Sequence, residues 1–248
     1  MQTLHTGVRF VLLILLLPLV IDNGMAQPES GEETQCGSLR VGHQSLTVFE
    51  IPPEGLWQKI RRVFLPPEIS LVYDLRRTIA AQEPLKPRSR EADLRRLDAM
   101  YLHAVYLAEG DPYLALFALS FATLPYHTFP ARIPLLGINI TVPVSTERRE
   151  AFERRLRNLP GLLLSDTPAY LDRDKIPHFF GSAWLQCVTK NRHITEAAGE
   201  LLELAEELFK LEGARDERDV FVNQLGAAFG IALQKQRAVL PSDFFRMH

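Results

Sequence analysis

From residue 68 onward, apolar positions recur in helical period. Glu68 to Gln82 sets Ile69, Val72, Leu75 and Ile79 along one face. Glu91 to Glu109 repeats the pattern with Leu94, Leu97, Tyr101, Ala104, Val105 and Ala108. Gly110-Asp111-Pro112 ends that helix and opens the next, with Asp111 as N-cap and Pro112 in the first helical position. Tyr113 to Leu124 is apolar on nearly every side. It is too short to cross a bilayer and reads as a central buried helix. His127 to Val144 is proline-rich and irregular, with a β-prone piece at Ile138, Ile140 and Val142. Ser145 then reads as the cap of a charged helix, TERREAFERRLRNL, whose arginines alternate with acids as on a solvated face. Ser165-Asp166-Thr167-Pro168 opens a short helical turn.

The first third is patterned differently. Arg9 and the free amine precede an apolar run, Val11 to Ile21, and small residues stand at Gly24 and Ala26 before Gln27. That order predicts a secretory signal peptide over 1–26. Residues 27–35 (QPESGEETQ) are polar and read as a disordered arm. Ser38 to Ile51 alternates enough for a short strand, Leu56 to Phe64 for a short amphipathic helix, and 83–90 is a proline-broken basic connector. Repeats and clean linkers are lacking. The expected fold is therefore mainly α: a single-domain helical bundle over 36–248 with a small β-prone or irregular insertion.

The last third carries two striped helices. At about 100° per residue, Asp219, Asn223, Gly226 and Gly230 share one narrow stripe, and apolar residues fill most of the rest. A helix apolar almost all round is a buried one. Two glycines on one face weaken a helix by roughly 1 kcal/mol each relative to Ala, so a close neighbour is expected there. Upstream, Asp174, His178, Gly181 and Ser182 make a matching stripe. Packing stripe to stripe brings His178 toward Asp219 and Asn223; otherwise these groups would be buried without partners. Between the two helices, Leu201, Leu204, Ala205 and Leu208 form an apolar arc opposite Glu200, Glu203 and Glu207, with Glu206 at its edge. A solvated face is the simpler reading of those glutamates, although Glu203 and Glu207 could reach the polar stripe.

Composition narrows the classes. Lys plus Arg is 28 against Asp plus Glu 30, a net charge of −2, so no basic field recruits nucleic acid. Two cysteines, Cys36 and Cys187, exclude a disulfide-dense scaffold, and export would permit a bridge between them. No HExxH, GxSxG, Walker A or dinucleotide fingerprint is present.

The order Asp174-Lys175-x-x-His178-Phe179, a Glu-containing helix, Gly213-x-Arg215, then Asp219-x-x-x-Asn223-x-x-Gly226-x-x-x-Gly230 resembles the VanZ-like and YfiM-like families of bacterial envelope proteins. The resemblance covers 172–236. It implies an exported protein of the periplasm or cell envelope, and importance for Asp174, Lys175, His178, Glu203 or Glu207, Asp219, Asn223 and Gly226. VanZ-like proteins span the membrane several times, and here no segment after residue 26 has the length to do so.

The expected function is a structural or interaction role in the cell envelope, built on a buried Asp/His/Asn helix seam: Asp174, Lys175, His178, Ser182, Glu203, Asp219, Asn223, Gly226 and Gly230. Two alternatives compete. One is a metal-dependent hydrolase or metal-binding protein, with His178, Asp174 and Asp219 as ligands and His178, Asp174, Asp219 and Glu207 as catalytic candidates. The other is a peripheral membrane or lipid-binding module that uses Tyr113 to Leu124 or the Phe179-Phe180-Trp184 face. A metal ion is the one cofactor these residues suggest, and an envelope protein or a membrane surface the expected partner.

Overall fold

The computed structural model describes residues 49, 64–86, 88–133, 138–143, 145, 147–167, 171–191 and 217–247. The expected signal peptide, arm, glutamate helix and Cys36 fall outside these residues, as do the short strand apart from Phe49 and the first amphipathic helix apart from Phe64.

The chain is mainly α. Helix α1 (Pro67–Ala81) begins with Pro67 in its first turn, where no amide hydrogen is needed. Its last carbonyls are met from a distance: Asn158 Nδ2 donates to Ile79 O at 2.9 Å and to Gln82 O at 2.6 Å. Helix α2 (Arg90–Leu107) is capped by Ser89, whose hydroxyl accepts from Ala92 N. Glu109 and Gly110 then take positive φ and return amides to Tyr106 O and Val105 O, ending the helix. Helix α3 (Pro112–Ala122) starts on Asp111, which accepts from Tyr113 N and Leu114 N at 2.8 and 3.0 Å. Ala115, Leu116, Ala118, Leu119 and Ala122 of α3 are buried.

Strands β1 (Thr128–Ile133) and β2 (Ile138–Pro143) pair antiparallel, from Thr128 opposite Pro143 to Ile133 opposite Ile138. Helix α4 is Arg149–Asn158. A 3₁₀ turn, Leu171–Asp174, leads into α5 (Lys175–Thr189), which stops where Lys190 turns left-handed. Helices α6 (Glu217–Gln234) and α7 (Pro241–Arg246) complete the described chain. Helix α5 packs most extensively on α6 and next on α3. Phe179 of α5 stacks on Phe229 of α6 at 5.4 Å between centroids, and Tyr101 and Phe245 close around that pair. No helix among the described residues is long and apolar enough to cross a membrane.

Five local expectations need correction. Helix α4 starts at Arg149, not behind a Ser145 cap; Ser145 Oγ instead donates to Glu147 Oε2 at 2.7 Å. The arginine face is not all solvated, because Arg155 is fully buried and donates to Ala122 O and Leu124 O at 2.9 Å each. Those carbonyls are orphaned at the end of α3 and attract a cation. Ile69 is exposed, since the first turn of α1 overhangs the core that Val72, Leu75 and Ile79 join. Helix α6 is not covered all round, for Gln224 and Ala228 face solvent. Finally, residues 128–133 are not irregular: they form β1, paired antiparallel with the β-prone piece.

Candidate functional site

The contact of α5 with α6 is set by glycine. A Cβ added at Gly226 would stand 2.2 Å from Phe179 O, and one at Gly230 would stand 2.7 Å from Ala183 O. Any larger residue collides with a neighbouring backbone, so the two helices touch main chain to main chain. Gly181 differs: a Cβ there meets only Ser120 Cβ, at 3.8 Å, an ordinary contact.

Along this contact the polar side chains pair in order. Lys175 Nζ lies 2.5 Å from Asp219 Oδ1 and 3.2 Å from Asp174 Oδ2. The Lys175 and Asp219 side chains are 2% and 1% exposed, so this ion pair is out of water. His178 Nε2 lies 3.8 Å from Asp219 Oδ1, within ion-pair range but too far for a hydrogen bond. One turn on, Ser182 Oγ donates to Asn223 Oδ1 at 2.9 Å. Further on, Cys187 Sγ approaches Gly230 O at 3.7 Å, and Gln234 Nε2 donates to Gln186 O at 3.0 Å. The structure thus brings Asp174, Lys175, His178, Ser182, Asp219, Asn223, Gly226 and Gly230 to one helix contact. Direct pairing with Asp219 falls to Lys175 rather than His178, and Asn223 meets Ser182 rather than His178.

Burial pushes the Asp174 carboxyl above its usual range; the Lys175 ammonium opposes this, the Asp219 carboxylate adds to it, and His178 opposes it. Burial also pushes the Cys187 thiol up to about 12, so it is neutral at ordinary pH and no nucleophile. Cys187 is a free thiol; Cys36, its expected partner, lies outside the described residues, as do Glu203 and Glu207. No group of three or more His, Cys, Asp or Glu among the described residues is placed to hold a metal ion. Among the described residues, the ammonium of Lys175 lies beside both Asp174 and Asp219.

A second ion pair, missed in the sequence, adjoins the first. Asp172 is fully buried; its Oδ2 accepts from Leu163 N at 2.8 Å, Leu164 N at 2.9 Å and the Thr167 hydroxyl. Its Oδ1 takes Arg218 at 2.7 Å. The charges therefore swap between neighbouring pairs: acid to base in Asp172–Arg218, base to acid in Lys175–Asp219. A slip of one residue would set like charges together. The signal available in the sequence was the adjacency of Arg218 and Asp219 opposite Asp172 and Lys175, which periodicity alone does not single out.

Two buried aspartates of α2 were also missed. Asp93 accepts from Gly161 N and Leu162 N at 2.7 and 2.9 Å, and Asp98 accepts from Ser242 N and Oγ at 2.8 and 2.6 Å. Burial raises the Asp98 carboxyl, while its bonds from Ser242 work the other way. Asp93 thus fastens the 161–162 amides to α2, and Asp98 fastens the start of α7 to it.

No family model, curated protein or solved structure matches this chain. The resemblance to the VanZ-like and YfiM-like families therefore stands on the residues quoted for it alone.

Proposed function

We propose that the chain is an exported protein of the bacterial cell envelope, with a structural or interaction role, in which the α5–α6 seam is a register-fixing element rather than a reaction centre. The observation that carries the second half is the Lys175–Asp219 pair: 2.5 Å long, buried on both sides and flanked by glycine contacts that leave no room between the helices. Buried polar groups of this kind specify one packing more than they add stability. The Lys175 ammonium takes the place beside Asp174 and Asp219 that a metal cation would occupy, which favours a structural seam over a metal-dependent hydrolase. Export is supported by the residue order of 1–26 and by the DKxxHF…DxxxNxxGxxxG resemblance.

One preparation tests both halves. The full chain is expressed in a bacterium, the cells are fractionated, and the purified product is sequenced from its amino end and analysed for metals. The expected product begins at Gln27, sits in the envelope fraction and carries no stoichiometric metal. A full-length cytosolic product refutes export. Stoichiometric zinc that Asp219→Asn abolishes refutes the structural reading.

A further inference from the structure

Where α1, α3 and α4 meet, the described residues bury more positive than negative charge. Arg155 is fully buried, and Arg76 is 6% exposed. Glu147 is the one carboxylate among the described residues that bears on both guanidiniums, and Arg155 holds it through Nε and Nη2 at 2.7 to 3.1 Å. Among the described residues Arg76 hydrogen-bonds only neutral partners: Phe121 O at 3.0 Å and, weakly, Ser145 Oγ at 3.3 Å. Its Nε is buried without any hydrogen-bond partner. The adjoining stretch 128–146 contains no Asp or Glu in its sequence, so the hairpin has no carboxylate to add. The end of α3 offers roughly half a negative charge through its carbonyls, and most of that is engaged by Arg155. A buried cation lacking a counter-charge is costly, and proteins seldom leave one uncompensated.

We propose that Arg76 is a binding residue for a small oxyanion, a phosphate or carboxylate group, received by the Nε edge of its guanidinium, which has no hydrogen-bond partner among the described residues. The planar fork of an arginine matches two oxygens of either group, and a charge-assisted pair there would satisfy the orphaned Nε and neutralise the excess together. Neighbouring charge agrees: burial and the Arg155 guanidinium pull Arg76 down to about 10, while Glu147 only partly restores it. Arg155 is not the binding residue, because its nitrogens are committed to Glu147 and to the end of α3.

The test is thermal unfolding of the full chain in chloride buffer at fixed ionic strength, titrated separately with inorganic phosphate and with acetate. Wild type should show a saturable rise in Tm, roughly 3–6 °C at ten times Kd, with one of the two anions. Arg76→Met should lose that rise. Arg76→Lys, which keeps the charge and lacks the fork, should bind at least tenfold more weakly and serves if the methionine variant does not fold. Arg154→Met, at an exposed position on α4, should respond as wild type does. A phosphate-only response assigns phosphate, and an acetate-only response assigns a carboxylate ligand. No saturable rise over chloride with either anion, or an unaltered rise in Arg76→Lys, overturns the proposal.

Discussion

Replacing Asp219 by Asn isolates the seam's central charge. At an effective dielectric constant of 20, two unit charges 2.5 Å apart attract by about 6–7 kcal/mol. Removing each ion from water costs several kcal/mol, so the pair as a whole is close to neutral against an apolar pair of the same volume. Loss of one partner is another matter, because it leaves the Lys175 ammonium buried. Asp174 remains 3.2 Å away and, being 24% exposed, recovers part of the loss. We expect Asp219→Asn to lower unfolding stability by about 2–4 kcal/mol. Since the pair is dry, raising salt to 1 M should change that cost little. Adding Lys175→Met to Asp219→Leu should recover at least about 2 kcal/mol of what Asp219→Leu alone loses, because the stranded charge is gone. Denaturant unfolding followed by far-ultraviolet circular dichroism, with equal slopes across the set, measures each value. A cost below about 0.5 kcal/mol for Asp219→Asn, or additive losses in the double variant, would show that Lys175 and Asp219 are not coupled in the interior.

Two further outcomes follow from local geometry. Gly226→Ala should destabilise by more than about 3 kcal/mol or prevent folding, since its methyl would stand 2.2 Å from Phe179 O, whereas Gly181→Ala should be neutral or gain up to about 1 kcal/mol of helix propensity; equal melting temperatures for the two would contradict the close helix contact. His103 is buried among Phe49 and Tyr106 with neither ring nitrogen hydrogen-bonded, and burial pulls it down from 6.5 to about 4. The unfolded chain therefore takes up this proton first. The His103 contribution is complete above pH 6.5 and falls away as pH drops toward 4, by at most about 3 kcal/mol. His103→Phe should flatten that part of the stability curve, and parallel curves for variant and wild type between pH 7 and 4 would refute the assignment.

Much of the helical layout is written locally. The Asp111-Pro112 start of α3 needs only a side-chain oxygen and a fixed φ within three residues. The stripes Asp174/His178/Ser182 and Asp219/Asn223/Gly226/Gly230 follow from helical period, and a buried stripe of glycines and polar groups has few ways to pack. Even so, the stripes do not say which groups meet. Lys175 reaches past His178 to Asp219 because the 3₁₀ turn at Leu171–Asp174 sets its Cα at the mouth of the seam, and that turn depends on Asp172 being gripped by the amides of Leu163 and Leu164.

Ser145 and Arg155 show the limit most clearly. Each has local neighbours typical of a surface helix, so pattern alone assigns a cap and a solvated face. Both have partners that meet them only after folding: Arg76 donates to Ser145, and Arg155 donates to the carbonyls that end α3. Backbone propensity and amphipathic period act within a turn or two, and the sequence alone determined the helical class, the Asp111-Pro112 start of α3 and the stripes along which α5 and α6 meet, but not the start of α4 or the exposure of Ile69, Gln224 and Ala228. Charge pairing acts across 44 residues between Lys175 and Asp219 and 31 between Arg155 and Leu124. Which charges are buried, and against what, was decided only when the helices had packed, because the desolvation that makes those pairs matter does not exist in the open chain.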